Sequence, residues 1–413
     1  MLTLQPTLKP RRRKAKVQKI GLAVAGGGPV GGMYELGALR ALDEAIEGLR
    51  LTDLEVYVGV SSGAFLASGL ANQLATADMC RIFLTDDLAQ GRFRPEVFLR
   101  PAFQEYLRRA AAIPQMIGSW MLDIIRNPDD NKWTDVVGRL GAIIPTGLFD
   151  NAEIERFLRT IFASFGRSND FRELAHRLYV IAVDIDSGEA VRFGSPGFDH
   201  VPISRAVQAS SALPGLYPPV EIDKHWYVDG ALRRTLHASV ALDAGAELVF
   251  GINPLVPFDA SMALRNGLPV PSSLIEGGLP AVLSQTFRTL LKSRMQVGLD
   301  KYQTQYEHAD IVLFEPRPDD TSMFFTNVFS YESRHKLAQH AYSSTLADLA
   351  AQADKLRPIL ARHGLSLRES VIHDRDRDLL DFLGQRPPRK TSVTLRLRHA
   401  LDDLERNLQA RAR

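Results

Sequence analysis

The chain has 413 residues, 45% of them apolar, which is enough for a large buried core and excludes wholesale disorder. Its one cysteine, Cys80, excludes an internal disulfide framework and any zinc site built from clustered cysteines, and points to reducing surroundings. The net charge of +2 hides an asymmetry: residues 1–20 carry +7 and residues 386–413 carry +5, so the body between them stands at −10.

Residues 1–18, with Pro6, Pro10 and a run of like charge, read as a basic disordered N-terminus. No apolar stretch of signal-peptide type follows the basic run, and no apolar run approaches the roughly 20 residues that span a bilayer. The expected location is therefore the cytoplasm, including the inner membrane face as a peripheral site. The two basic ends leave two readings open. They contact something anionic, such as phospholipid headgroups or RNA, or they are solvated ends that keep the protein in solution.

Residues 19–25 (KIGLAVA) form a short apolar run that suits a buried strand, and the glycine-rich turn GGGPVGG follows at 26–32. Met33, Leu36, Leu39, Leu42, Ile46 and Leu49 then recur at helical spacing. A second strand at 54–60 runs into Ser61, and 63 to about 74 reads as another helix. Strand, turn and helix twice over is the pattern of a largely parallel sheet with helices on its faces. Residues 81–175 read as a mostly helical insertion, with an unusually apolar stretch at 103–125 that suits either a lid or a buried core helix. Strand character returns at 178–185, 190–193, 247–252 and 310–314. The expected organisation is one α/β domain over 19–315, followed by a helical and polar C-terminal extension over 330–413. The last part of that extension, 393–411, carries Leu397, Leu401, Leu404 and Leu408 on one side, for a headgroup layer or a partner helix.

Gly59-Val60-Ser61-Ser62-Gly63 fits G-x-S-x-G between a strand and a helix, where the serine hydroxyl stands on a sharp turn and the flanking glycines allow close backbone approach. Gly26-Gly27-Gly28 leaves backbone N–H groups free to face an anion. That anion is a phosphate, or the oxyanion of an acyl-transfer intermediate, unless the glycines form only a tight turn. G-x-G-x-x-G can be laid over Gly26, Gly28 and Gly31. The next strand, however, ends in Ser61 instead of an acidic residue, and no Gly-Lys-Ser/Thr is present. A serine nucleophile needs a base. His225, His237, His335 and His340 stand in undistinguished settings, whereas Asp229 ends an apolar run before Gly230 and Ala231, where it is a base or a plain turn residue.

Taken together these motifs resemble the patatin-like phospholipase family: GGGPVGG at 26–32, GVSSG at 59–63 and DGA at 229–231, in that order. The segments AVQASSALPGLYPPVEIDKHWYVDGA at 206–231, LYVIAVDIDSGEAVRF at 178–193 and GLFDNAEIERFL at 147–158 strengthen the likeness, which covers about 18–255 and extends plausibly to about 315. The resemblance implies a three-layer α/β fold with a mainly parallel central sheet between helices, and a Ser–Asp dyad without histidine. Ser61 would attack an ester carbonyl and Asp229 would take its proton. Gly26, Gly27, Gly28 and Gly31 would shape the oxyanion hole, with Gly59, Gly63, Gly230 and Ala231 completing the motifs. The implied substrate is a phospholipid or another acyl ester, with no nucleic-acid partner, no metal and no cofactor.

Two departures stand out. Val30 replaces the Arg or Lys usual in the glycine loop, and Thr235-Leu236-His237 replaces an Asn-x-Pro after the aspartate, leaving His237 near the dyad in sequence. The first keeps open a catalytically weak or inactive lipid-binding or scaffolding member of the same fold. A nucleotide-binding protein using the glycine loop is the third reading.

Overall fold

The computed structural model describes residues 1–8, 19–85, 100–102, 146–268, 274–325 and 331–383. The apolar stretch at 103–125 and the amphipathic stretch at 393–411 lie outside the described residues.

Short runs of buried β-branched and aliphatic residues form the sheet. In chain order the strands are β1 (Leu2–Gln5), β2 (Ile20–Val24), β3 (Ile46–Glu47), β4 (Val56–Val60), β5 (Arg177–Asp184), β6 (Ala190–Phe193), β7 (Val220–Ile222), β8 (His225–Asp229), β9 (Leu248–Ile252), β10 (Asp310–Phe314) and β11 (Ser366–Leu367). The main sheet has the order β1-β10-β9-β2-β4-β5-β8-β7, with β6 paired to β5. Its centre, β10-β9-β2-β4-β5, is parallel, and β1, β6, β7 and β8 pair antiparallel. The central strands β2, β4, β9 and β10 are almost wholly buried, as expected of a parallel sheet covered on both faces.

The helices that matter here are α1 (Gly28–Ala45), α2 (Ser62–Ala71), α3 (Thr76–Leu84), α4 (Ala152–Phe162), α5 (Ile203–Ser210), α6 (Ala238–Asp243), α7 (Ala260–Arg265), α8 (Gly278–Gln305), α9 (Thr321–Phe325), α10 (Tyr331–Ala351) and α11 (Ala353–Arg362). One core gathers α1, α2, α3, α5 and α10 over one face of the sheet. A second gathers α6 and the later half of α8, through Met295, Leu299 and Tyr302, over the other. The architecture is the three-layer α/β arrangement expected. Among the described residues no helix is long and apolar enough to cross a membrane.

Two expectations change. The first residues are not disordered: Leu2–Gln5 adds an antiparallel edge strand to β10, and the Met1 ammonium pairs with Asp348 at 2.6 Å. The backbone groups on the free edge of β10 supply the template that composition does not reveal. The stretch from 331 is also no polar appendage. Leu337, Ala338, Ala341, Tyr342 and Leu349 of α10 sit in the main core beside α1. At the crossing a Cβ on Gly37 would stand 2.2 Å from the Ala338 carbonyl, so glycine there sets how closely the two helices approach. Helix α1 itself begins at Gly28, inside the glycine run and earlier than the apolar spacing indicates, because Pro29 suits a first helical turn.

Candidate active site

Ser61 follows the last residue of β4 and is the N-cap of α2, with φ 52° and ψ −122°. That left-handed backbone is strained for a non-glycine residue and holds the side chain out of the line of both elements. Glycine is required on either side by close approach. A Cβ on Gly59 would stand 2.4 Å from Ala64 Cα, and one on Gly63 would stand 2.3 Å from the Ala25 carbonyl oxygen. The G-x-S-x-G spacing thus presses the start of α2 against the end of β2.

Asp229 ends β8. On β5, Ile181 pairs with Val60 and the next residue, Ala182, pairs with Asp229. Consecutive residues of one strand therefore set Ser61 and Asp229 side by side. The Ser61 side chain lies close enough to the Asp229 carboxyl to favour its ionised form, and that carboxylate accepts the Ala231 N–H at 2.8 Å. Both residues are buried. Burial pushes the Asp229 carboxyl up to about 6, against the opposing pull of the Ala231 N–H and the nearby Ser61 hydroxyl.

The glycine loop lies against the same point. A Cβ on Gly26 would come within 2.9 Å of Ser61 Cβ. Gly28 has φ +60°, a conformation that favours glycine. The N–H groups at the start of α1 are the orphan donors of a helix terminus, and Pro29 contributes none. Gly31 differs from the expectation for it: its N–H is bonded to the Gly27 carbonyl at 3.0 Å, and its lack of a side chain admits Pro254, whose Cγ would stand 2.8 Å from a Cβ. Gly31 is thus a packing glycine, and the free donors are at Gly27 and Gly28. The Val30 side chain turns to the core, not to Ser61.

Three features carry no signal in residue type alone. The Ser210 hydroxyl accepts the Ser61 N–H at 2.8 Å and donates to the Ile181 carbonyl at 2.5 Å. The Ala212 carbonyl accepts the Asp229 N–H at 3.0 Å. Glu35, on α1, is fully buried and accepts from the Ser62 hydroxyl at 3.2 Å, and burial holds its carboxyl well above the usual carboxylate range. The 206–231 segment, legible only as a likeness, thus braces both members of the pair.

No candidate histidine joins Ser61. His225 pairs with Asp184 at 3.1 Å and His340 with Asp320 at 2.7 Å. His237 is buried with its Nε2 unpartnered, and burial pulls it down to about 4, so it is neutral at pH 7. Among the described residues no group of three or more His, Cys, Asp or Glu is placed to hold a metal ion.

Solved structures with a similar course of chain include VipD from Legionella pneumophila (16% identity, 82% of this chain and 67% of that chain covered, TM-score 0.36). Human GIVD cytosolic phospholipase A2 with bound methyl gamma-linolenyl fluorophosphonate matches at 12% identity, 86% and 61% coverage and TM-score 0.35. The type III effector protein ExoU, from Pseudomonas aeruginosa, matches at 17% identity, 82% and 62% coverage and TM-score 0.28. This chain therefore spans 61% to 67% of the length of those proteins. The family model of the patatin-like phospholipases matches residues 22–242, from β2 through the glycine loop, Ser61 and Asp229 into α6, and the chain belongs to that family.

Proposed function

We propose that this protein is a lipid acyl hydrolase that cleaves carboxylic esters of phospholipids or related acyl esters through Ser61 and Asp229. The observation that carries the reading is the placement of Ser61, on its strained turn, beside the buried Asp229 through consecutive residues of β5, where burial raises the carboxyl to about 6. An exposed aspartate, near 3.9, is a poor proton acceptor at neutral pH, and burial brings this one closer to the working range.

In this reading Asp229 takes the Ser61 proton as Oγ bonds to the ester carbonyl carbon. The carbonyl oxygen becomes an oxyanion facing the N–H groups at Gly27 and Gly28. The tetrahedral centre collapses, the C–O bond to the alcohol breaks, and Asp229 returns its proton to the leaving oxygen. Water then repeats the sequence on the acyl-Ser61 ester: Asp229 takes a water proton, the acid is released and Ser61 regains its hydrogen.

The test is hydrolysis of a medium-chain p-nitrophenyl ester and of phospholipid vesicles by wild type, Ser61→Ala and Asp229→Asn, each shown to be folded. Activity in wild type alone supports the reading, and undiminished activity in either variant overturns it. A silent wild type would favour a non-catalytic lipid-binding member of the fold, the reading that Val30 motivates.

A further inference from the structure

Helix α8 is much longer than the strands it covers. Its 28 residues rise about 42 Å, whereas a five-residue strand such as β9 or β10 spans about 17 Å. Its level on the sheet is fixed by two contacts. Lys292 Nζ donates to both carboxylate oxygens of Glu315, the residue after β10, at 2.8 and 2.7 Å. Asn253, the residue after β9, donates to Met295 Sδ at 3.3 Å. Residues 292–295 therefore stand at the C-terminal ends of the parallel strands, and Met295, Leu299 and Tyr302 run back under the sheet. The other half, 278–291, is about 20 Å long and lies on the far side of these contacts from the sheet. It leaves on the edge where Gly26 follows β2 and Ser61 follows β4.

One side of this projecting half is backed by the chain after β9. Gln285 exchanges hydrogen bonds with the Phe258 backbone, and Arg288 donates to the Val256 carbonyl. The opposite side is open and carries a row of exposed aliphatic residues, with Thr286 and Ser293 among them. Leu279, Leu283 and Leu290 are 69%, 57% and 58% exposed, with Val282 between them and Val297 further along. At 100° per residue these positions fall on one stripe of the helix. Leu264 and Leu268, in the segment leading into α8, are exposed as well. Residues 260–297 hold four Lys/Arg (Arg265, Arg288, Lys292 and Arg294) and one acid, Glu276, in a body whose net charge is otherwise strongly negative. Arg265 and Arg294 stand in solvent. A row of exposed aliphatic residues with Arg294 at its edge, in a segment of net positive charge, complements the anionic headgroup boundary of a bilayer better than it complements water.

We propose that the Leu279–Leu290 face of α8 is the surface by which this protein seats on an anionic lipid bilayer, with the Ser61 edge of the sheet turned toward that bilayer. The orientation gains its purpose from the hydrolase reading, but the docking itself does not depend on it. A helix lying in the interface plane would sink Leu279, Leu283 and Leu290 among the acyl-chain ends and leave Arg265 and Arg294 at headgroup level.

The test uses the full chain and vesicles of phosphatidylcholine with and without phosphatidylglycerol. Wild type should pellet with the anionic vesicles, and Leu283→Asp and Leu290→Asp should each weaken that binding by about tenfold or more. Turnover of soluble p-nitrophenyl butyrate should stay unchanged in both variants. Cys80 is buried, so a polarity-sensitive dye on Leu283→Cys reports on this face alone, and its emission should shift to the blue when anionic vesicles are added. Vesicle binding untouched by the aspartates, a silent dye, or a wild type that binds neither vesicle overturns the proposal. So does a wild-type dimer that the aspartates dissociate, since a second copy would then occupy the face. If vesicle binding falls as expected while wild type hydrolyses no ester, the docking surface stands and the hydrolase reading fails alone.

Discussion

Ser210 holds Ser61 by its backbone: the buried Ser210 hydroxyl accepts the Ser61 N–H at 2.8 Å and passes its own hydrogen to the Ile181 carbonyl at 2.5 Å. Ile181 precedes Ala182, the partner of Asp229 on β5. One hydroxyl thus joins the strained turn that carries Ser61 to the strand that positions Asp229. Ser210→Ala leaves a buried N–H and a buried carbonyl unpaired, a loss of about 1–3 kcal/mol of stability. It also frees the turn to relax away from Asp229. The expected kinetic result is a fall in kcat of roughly 10-fold to 100-fold with KM little changed, since the residue would position the nucleophile and touch no substrate. Steady-state kinetics on a soluble ester check this, and a rise in KM at constant kcat would refute it.

The pH dependence should report Asp229. Its carboxyl is raised to about 6 by burial, and it accepts a proton only when ionised. The rate constant kcat/KM should therefore rise with pH through an apparent pKa near 6 and level off above it. His237 is buried and neutral in the same range, so His237→Asn should leave that limb where it is. A limb near 4, or one that moves with His237, would assign the base elsewhere.

The same shift has a cost in stability with a defined sign. A carboxyl whose pKa is 3.8 before folding and about 6 after it binds its proton more tightly in the folded state. Its stabilising contribution is complete below about 3.8 and is lost as pH rises through about 6. At pH 8 the ionised carboxylate destabilises the fold by on the order of 2–3 kcal/mol. Asp229→Asn keeps an oxygen for the Ala231 N–H and removes the charge, so the inactive variant should be more stable than wild type at pH 8. Urea unfolding at pH 8 and pH 5 should show the gap narrowing at the lower pH.

Gly26 tests the close contact between the glycine loop and the nucleophile. A methyl group there would meet Ser61 Cβ at 2.9 Å, with Ala231 Cβ and the Val60 carbonyl oxygen at 3.5 Å on its other sides. Gly26→Ala should displace the Ser61 side chain and lower kcat/KM by about 100-fold, because small misplacements of a reacting atom carry losses of that size. Circular dichroism and a parallel assay would separate this from unfolding.

Much of this arrangement is legible in the sequence. Buried parallel strands show as unbroken apolar runs, and the strands at 190–193 and 310–314 coincide with those observed. Ser61 and Asp229 stand out in the sequence through the glycines beside them, and the register of β5 sets the two residues side by side. What stays hidden is long-range. The pairing of Leu2–Gln5 with β10 depends on an edge some 300 residues away. The role of Ser210 depends on the register of β5 against two strands. Gly31 reads as a member of an anion-binding loop, but Pro254, distant in sequence, is what requires it. The exposed stripe on α8 depends on how far that helix overshoots the sheet, which its own periodicity does not encode.

The most direct test of the central claim is the site of covalent capture by a long-chain alkyl fluorophosphonate, read by mass spectrometry of the intact protein and of its peptides. One phosphonyl adduct on Ser61, absent in Ser61→Ala and strongly slowed in Asp229→Asn, is the predicted result. No adduct on the folded wild type, or one at another residue that persists in Ser61→Ala, would contradict it.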